Sequence, residues 1–123
     1  MSIHTFTDLV AWQEARKIAL ETYALTKTFP TDERFGLVDQ MRRSAISVSS
    51  NIAEGFGRST AKDKNQFYSI AKGSLMELHS QSIIASDLGY IDKMTLRSLE
   101  PKFLSLSKIV SGLMKSSFSR VIS

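Results

Sequence analysis

Three short breaks divide the chain into four segments, and this division constrains the fold more than any other feature. The breaks lie at residues 29–32, 55–60 and 88–92, and each combines Pro or Gly with a side chain suited to a helix N-cap. The segments between them carry apolar residues at the period of an amphipathic helix, and none alternates long enough to form a sheet. Because short connections favour antiparallel neighbours, the sequence predicts an all-α fold, an antiparallel up-down-up-down four-helix bundle.

The predicted bundle is a single domain over residues 1–123, a length that allows one hydrophobic core. Asp8 is the expected N-cap of the first helix, the second begins at Thr31 or Asp32, and the fourth begins at Asp92. Pro101 is expected to kink the last helix or to make residues 92–100 a separate turn. The predicted helices cover residues 8–28, 32–55, 62–88 and 92–119. Their predicted buried residues are Ala11, Trp12, Ala15, Ile18, Ala19, Thr22, Leu25, Phe29, Leu37, Met41, Ala45, Val48, Ile52, Phe67, Ala71, Leu75, Leu78, Ala85, Leu96, Leu99, Phe103, Leu106, Val110 and Leu113.

The composition excludes several classes of protein. The chain contains no cysteine, which rules out disulfide scaffolds, thiolate zinc sites, iron–sulfur clusters and cysteine nucleophiles. It has no apolar run of the length of a membrane span, and its first residues lack the basic-then-apolar form of a secretory signal. We therefore expect a cytoplasmic protein with no membrane partner.

Positive charge is concentrated in the second half of the chain. Residues 57–123 hold ten basic and five acidic side chains, whereas residues 1–56 are nearly neutral. This bias fits an anionic partner such as RNA or DNA, and the alternative is a solvated surface that happens to be positive. The candidate nucleic-acid-binding residues project from the second helix, the turn after it and one strip of the fourth helix: Arg42, Arg43, Arg58, Lys62, Arg97, Lys108 and Lys115.

The second helix is unusually rich in small polar residues. Ser47 and Asn51 align beside its apolar stripe, and such residues are poor helix formers that need a tertiary reason. We interpret them as a surface that lets a neighbouring helix approach closely, with Asn51 bonding across the contact. Glu54 is expected to pair with Arg58 or with a basic group of another helix. Gly55 stands at the helix exit, where the alternative is an ordinary C-terminal cap with Gly55 or Gly57 at positive φ.

Six apolar residues fall outside the main stripes of the first three helices. Their seven- and eleven-residue spacings make second apolar strips, which usually mark an interface, although scattered surface positions are the alternative. The sequence therefore predicts a homo-oligomer whose interface includes Leu9, Leu20, Ile46, Ala53, Met76 and Ile83.

Patterns that would indicate an enzyme are missing. A di-iron bundle needs paired Glu-x-x-His motifs, which the sequence lacks. His79 has no partner histidine on its helix face, and His4 is expected to lie in a frayed N-terminus. The serines follow no nucleophile-elbow pattern. We expect no catalytic residue, no metal and no cofactor.

One motif in these surroundings is specific. The run Asn51-Ile52-Ala53-Glu54-Gly55 follows Arg42-Arg43-Ser44-Ala45 and precedes Arg58. It is accompanied by Phe29-Pro30 with Glu33 and Gly36-Leu37, and by Leu88-Gly89-Tyr90-Ile91. Over nearly its whole length the chain resembles the four-helix-bundle family of 23S rRNA intervening-sequence proteins.

The resemblance implies a bacterial protein that forms an antiparallel four-helix bundle and assembles as a ring of five subunits. Some proteins similar to it are encoded inside insertions in large-subunit ribosomal RNA genes. Relatives in diversity-generating retroelements are accessory proteins that bind the reverse transcriptase and nucleic acid. No enzymatic activity is implied.

Two functional hypotheses follow from the sequence and the resemblance. The first is a non-enzymatic homo-oligomer, a nucleic-acid-associated accessory or scaffold protein that binds RNA, DNA or a nucleic-acid enzyme such as a reverse transcriptase through its basic surface. The second is a purely structural oligomer that binds another protein through a groove near Ser47 and Asn51, with no nucleic-acid role.

Overall fold

The computed structural model describes residues 2–122, and the side chains of residues 2–117. Met1 and Ser123 of the predicted domain lie outside these residues. Four helices account for most of the chain: α1 (Val10–Thr26), α2 (Leu37–Phe56), α3 (Ala61–Asp87) and α4 (Lys93–Ile122). Short 3-10 turns precede α1 and α2, and residues 2–122 contain no strand. The prediction of an all-α four-helix fold is confirmed.

Cross-helix hydrogen bonds show how the helices run. Asn65, near the start of α3, donates to the Met114 carbonyl in the second half of α4. His79, in the second half of α3, pairs with Glu100 in the first half of α4. These two helices are therefore antiparallel. α1 packs on α2 and α4, and α3 packs on the same two helices. Within the described residues, no Cα of α1 comes within 8 Å of α3, and the same holds for α2 and α4. The seam between α1 and α2 thus lies opposite the seam between α3 and α4.

The core consists mainly of the predicted apolar stripes, and Leu9, Val38, Tyr68 and Ile91 add to it. The most deeply enclosed large side chains come from three helices and include Met41, Ile52, Leu78, Leu106 and Val110. Burying such side chains contributes about 1.5–3 kcal/mol each relative to leaving them in water. Six predicted core residues are half-buried at the margins of the core, namely Trp12, Leu25, Leu37, Phe67, Leu96 and Leu113.

Two predicted helix starts are wrong. Asp8 does not cap α1; its carboxylate accepts the backbone N–H of His4 and Thr5, which closes a capping box on a short 3-10 turn. These hydrogen bonds lower the pKa of Asp8. The segment Thr31–Glu33 is likewise a separate 3-10 turn, and α2 begins only at Leu37, whose N–H donates to the Glu33 carboxylate at 3.2 Å.

The other two helix starts follow the sequence. Thr60 caps α3 by accepting the N–H of Asp63 at 3.1 Å, and Asp92 caps α4 by accepting the N–H of Thr95 at 2.7 Å. The latter bond stabilises the ionised carboxylate and lowers the pKa of Asp92. At the same end of the bundle, the Tyr90 hydroxyl donates to Glu33, which raises the pKa of Tyr90.

Pro101 lies inside α4, which continues on both sides of it from Lys93 to Ile122. The expectation that residues 92–100 form a separate turn is therefore wrong. Pro101 is exposed, so the missing backbone donor lies on the solvent side of the helix.

Candidate nucleic-acid and subunit interfaces

The small residues of α2 allow α3 to approach closely. The Ser47 hydroxyl lies 2.7 Å from the Ser74 hydroxyl of α3, and this hydrogen bond crosses the contact. Asn51 does not cross it, contrary to the prediction, because its amide donates back to the carbonyl and hydroxyl oxygens of Ser47 at 2.8 and 3.0 Å. Ser47 therefore ties α2 to α3, while Asn51 holds Ser47 from within α2.

Gly55 is required by the close approach of a ring rather than by a turn. A Cβ at this position would lie 2.6 Å from the Cε1 atom of Tyr68 and 3.1 Å from the Lys64 carbonyl oxygen. Gly57 is the C-cap residue of α2, but its φ of −77° is not the positive φ of the cap alternative, and Gly55 lies inside the helix. Glu54 pairs with Arg58 at 3.7 Å, the first of the two predicted partners.

An apolar patch lies over the seam between α1 and α2. We define this α1/α2 face by the side chains of Leu20, Tyr23 and Ile46, which are 62%, 38% and 43% exposed. Arg42 joins the two helices beneath it: its Nε donates to the Thr26 hydroxyl at 2.9 Å, and its guanidinium lies 4.6 Å from the centre of the Tyr23 ring. Arg42 is thus held in place by contacts within its own chain.

Cations border the α1/α2 face. Arg16 and Lys27 lie one turn from Leu20 and Tyr23 on the exposed side of α1. Arg43 is exposed on α2 and pairs with Asp39 at 3.1 Å. Counting these side chains and Arg42, the α1/α2 face has three positive charges more than negative ones.

A second apolar patch lies over the opposite seam. The ammonium group of Lys72 on α3 donates to the Ser111 hydroxyl on α4, so both residues lie at the seam between these two helices. On each helix, residues at spacings of three, four or seven from such a residue lie on the same side of the helix. This rule places Met76 and Ile83 of α3 beside Leu104 of α4. They are 73%, 39% and 57% exposed, and they define the α3/α4 face.

The predicted basic strip of α4 belongs to this same face. Arg97 stands three residues before Glu100, and Lys108 and Lys115 stand three before and four after Ser111. By this helical spacing, all three cations project on the same side of α4 as Leu104. All three are exposed, and no hydrogen bond or ion pair engages them among the described residues. From Arg97 to Lys115 the strip is about 27 Å long, at 1.5 Å per residue.

The two remaining predicted cations lie at the turn between α2 and α3. Arg58 stacks over the Phe67 ring at 4.6 Å in addition to its ion pair with Glu54, whereas Lys62 is exposed. The fold therefore places the seven predicted cations in three separate regions of the chain. It does not bring them together into one surface.

One predicted interface residue is misplaced. Leu9 is only 5% exposed and belongs to the core, because it precedes the first turn of α1 and does not follow the helical spacing. Ala53 is half-buried on α2. The other four residues are exposed and divide between the two faces, with Leu20 and Ile46 on one and Met76 and Ile83 on the other.

Some features escaped sequence reasoning. Leu104 and Tyr23 complete the two faces. Each could have been found from its helical spacing, since Leu104 stands four residues before Lys108 and Tyr23 three residues after Leu20. His79 Nε2 lies 2.7 Å from the Glu100 carboxylate, and this contact joins α3 to α4. In the sequence the nearest carboxylate to His79 is that of Glu77, so the partner on α4 was not predictable. A cleft of about 760 Å³ opens where the ends of all four helices meet, and its floor includes Leu9, Phe56 and Tyr68.

Comparison with known proteins identifies the family. The family model described as 23S rRNA-intervening sequence protein matches residues 7–112, which include the Asn51–Gly55 motif, both faces and most of the basic strip. The chain belongs to this family of four-helix proteins. None of the curated proteins matches it. Among the described residues, no helix has the length and apolar character needed to cross a membrane.

Proposed function

We propose that the protein is a homo-oligomeric accessory or scaffold protein that acts by binding nucleic acid, without catalysis of its own. One observation carries the proposal. The α1/α2 face and the α3/α4 face lie on opposite sides of the bundle, and each is an exposed apolar patch bordered by the cations that the sequence predicts to bind phosphate.

Two different faces on opposite sides favour head-to-tail association. A symmetric dimer uses one patch twice, whereas a contact between unlike patches leaves a free patch at each end and continues as a filament unless a ring closes. The resemblance implies a closed ring of five subunits. Contiguous exposed apolar strips are also the surfaces that association usually covers.

Head-to-tail association also concentrates the positive charge. It brings Arg42 and Arg43 of one subunit to the seam where the next contributes Arg97, Lys108 and Lys115. Repeated around a ring, such seams form a basic surface for a phosphate backbone, and the contact is largely independent of base sequence. A protein of this kind holds RNA or DNA in place, and a nucleic-acid enzyme is the partner expected to use it.

The test combines mass and binding. We expect light scattering coupled to size exclusion to give a stable oligomer near five times 13.7 kDa. Fluorescence anisotropy with a labelled oligouridylate should show binding that weakens steeply as NaCl rises. A monomer would contradict the proposed assembly. An oligomer that binds no RNA or DNA at low salt would contradict the nucleic-acid role and leave the protein-interaction oligomer.

A further inference from the structure

We propose that nucleic-acid binding and subunit association are coupled, because the two apolar faces that meet in the proposed oligomer are both rimmed by positive charge. This inference rests on the proposed function and adds its regulation: the polyanion stabilises the assembly that binds it. The observation behind it is that the two rims have the same sign, where complementary signs would have favoured association without help.

The α1/α2 face carries an excess of three positive charges. On the α3/α4 face the ionised side chains are Lys72, Lys93, Arg97, Lys108 and Lys115 against Asp87 and Glu100, again an excess of three positive charges. Asp39 and Glu100 are engaged within the subunit by Arg43 and His79, respectively. Neither face therefore has a surplus of carboxylates that could pair with the cations of the other face.

Association therefore sets two opposing effects against each other. Covering Leu20, Tyr23 and Ile46 with Met76, Ile83 and Leu104 removes apolar surface from water and favours the contact. Bringing the two cationic rims within a Debye length opposes it, and the opposition is strongest at low ionic strength. A phosphate backbone laid along the seam neutralises both rims at once.

Thermodynamic linkage makes the effect reciprocal. If an oligonucleotide binds the seam more tightly than it binds the separate subunits, it strengthens association by the same factor. Simple salt acts differently on the two processes. It screens the rims and strengthens association of the protein alone, while it weakens the binding of the oligonucleotide.

The experiment is a dilution series followed by sedimentation velocity, with the full chain alone and with oligouridylate RNA. We expect the association constant of the protein alone to rise roughly tenfold when NaCl increases from about 0.05 to 0.5 M. Saturating oligouridylate at the lower salt concentration should raise it at least as much.

A matched variant separates charge from other effects of salt. The double variant Arg43→Gln, Lys108→Gln removes one exposed cation from each rim and leaves the apolar residues in place. It should associate more tightly than the wild type at low salt and respond less to NaCl and to oligouridylate.

The outcomes also separate this inference from the proposed function. An oligomer that binds oligouridylate but whose association is unchanged by NaCl and by RNA would overturn the coupling and leave the proposed function standing. Association that strengthens with NaCl, without RNA binding at any salt concentration, would overturn the nucleic-acid role and support the repulsion between the rims. A species of 13.7 kDa under every condition would overturn both.

Discussion

Replacing Gly55 with alanine is expected to destabilise the bundle by up to about 2 kcal/mol, although the same change normally stabilises a helix. The gain in helix propensity is about 1 kcal/mol. It is exceeded by overpacking, which costs about 1–3 kcal/mol when the surroundings cannot yield. The new Cβ would meet the Tyr68 ring at 2.6 Å and the Lys64 carbonyl oxygen at 3.1 Å, and Tyr68 is only 2% exposed.

Gly73 supplies the matched control. It lies inside α3, and no atom beyond its chain neighbours and the local helix backbone comes within 4 Å of the position of a Cβ, so Gly73→Ala should stabilise the protein by about 0.5–1 kcal/mol. Urea denaturation at one fixed protein concentration measures both variants, since the stability of an oligomer depends on concentration. If Gly55→Ala proved as stable as Gly73→Ala, the close contact of α2 with α3 would be wrong.

The triple variant Arg97→Gln, Lys108→Gln, Lys115→Gln is expected to bind oligouridylate about 100-fold more weakly at about 0.1 M salt. Three lost phosphate contacts per subunit lower the slope of log affinity against log salt by about 2, which corresponds to that factor. These side chains are exposed and make no ion pair among the described residues, so the fold should be unaffected.

The control removes the same charge elsewhere. Lys17 and Lys102 form surface ion pairs with Glu14 and Glu21, and Arg34 lies in the turn before α2. Their combined change to Gln should leave most of the affinity, because it lowers only the net charge. Equal losses in the two triple variants would show that net charge, rather than the strip on α4, governs binding.

The fold was predictable because its information is local. The apolar spacing identifies the buried face of each helix without knowledge of the others, and the stripe from Met41 to Ile52 is buried as predicted. The starts of α1 and α2 were not predictable in the same way. Asp8, Thr31 and Asp32 are typical N-cap residues, but they lie in short 3-10 turns, and the N–H of Leu37 at the start of α2 donates to Glu33 instead.

The candidate interfaces depend on register between helices, which the sequence does not contain. Helical spacing shows that Met76 and Lys108 point outward, yet only the contact of Lys72 with Ser111 shows that they share a face. Leu9 was misplaced because it stands before the helix whose spacing was applied to it. The Asn51 amide was predicted to bond to a neighbouring helix, whereas it donates to Ser47, which lies one turn earlier on α2 itself.

The most direct test of the account is a mixing experiment on the two faces. Leu20→Lys disrupts only the α1/α2 face, and Met76→Lys disrupts only the α3/α4 face. Both residues are largely exposed, so each variant should fold. Light scattering should show each variant alone as a monomer of 13.7 kDa, and the equimolar mixture as a dimer of twice that mass through the two intact faces. A mixture that stays monomeric, or a single variant that assembles like the wild type, would contradict head-to-tail association.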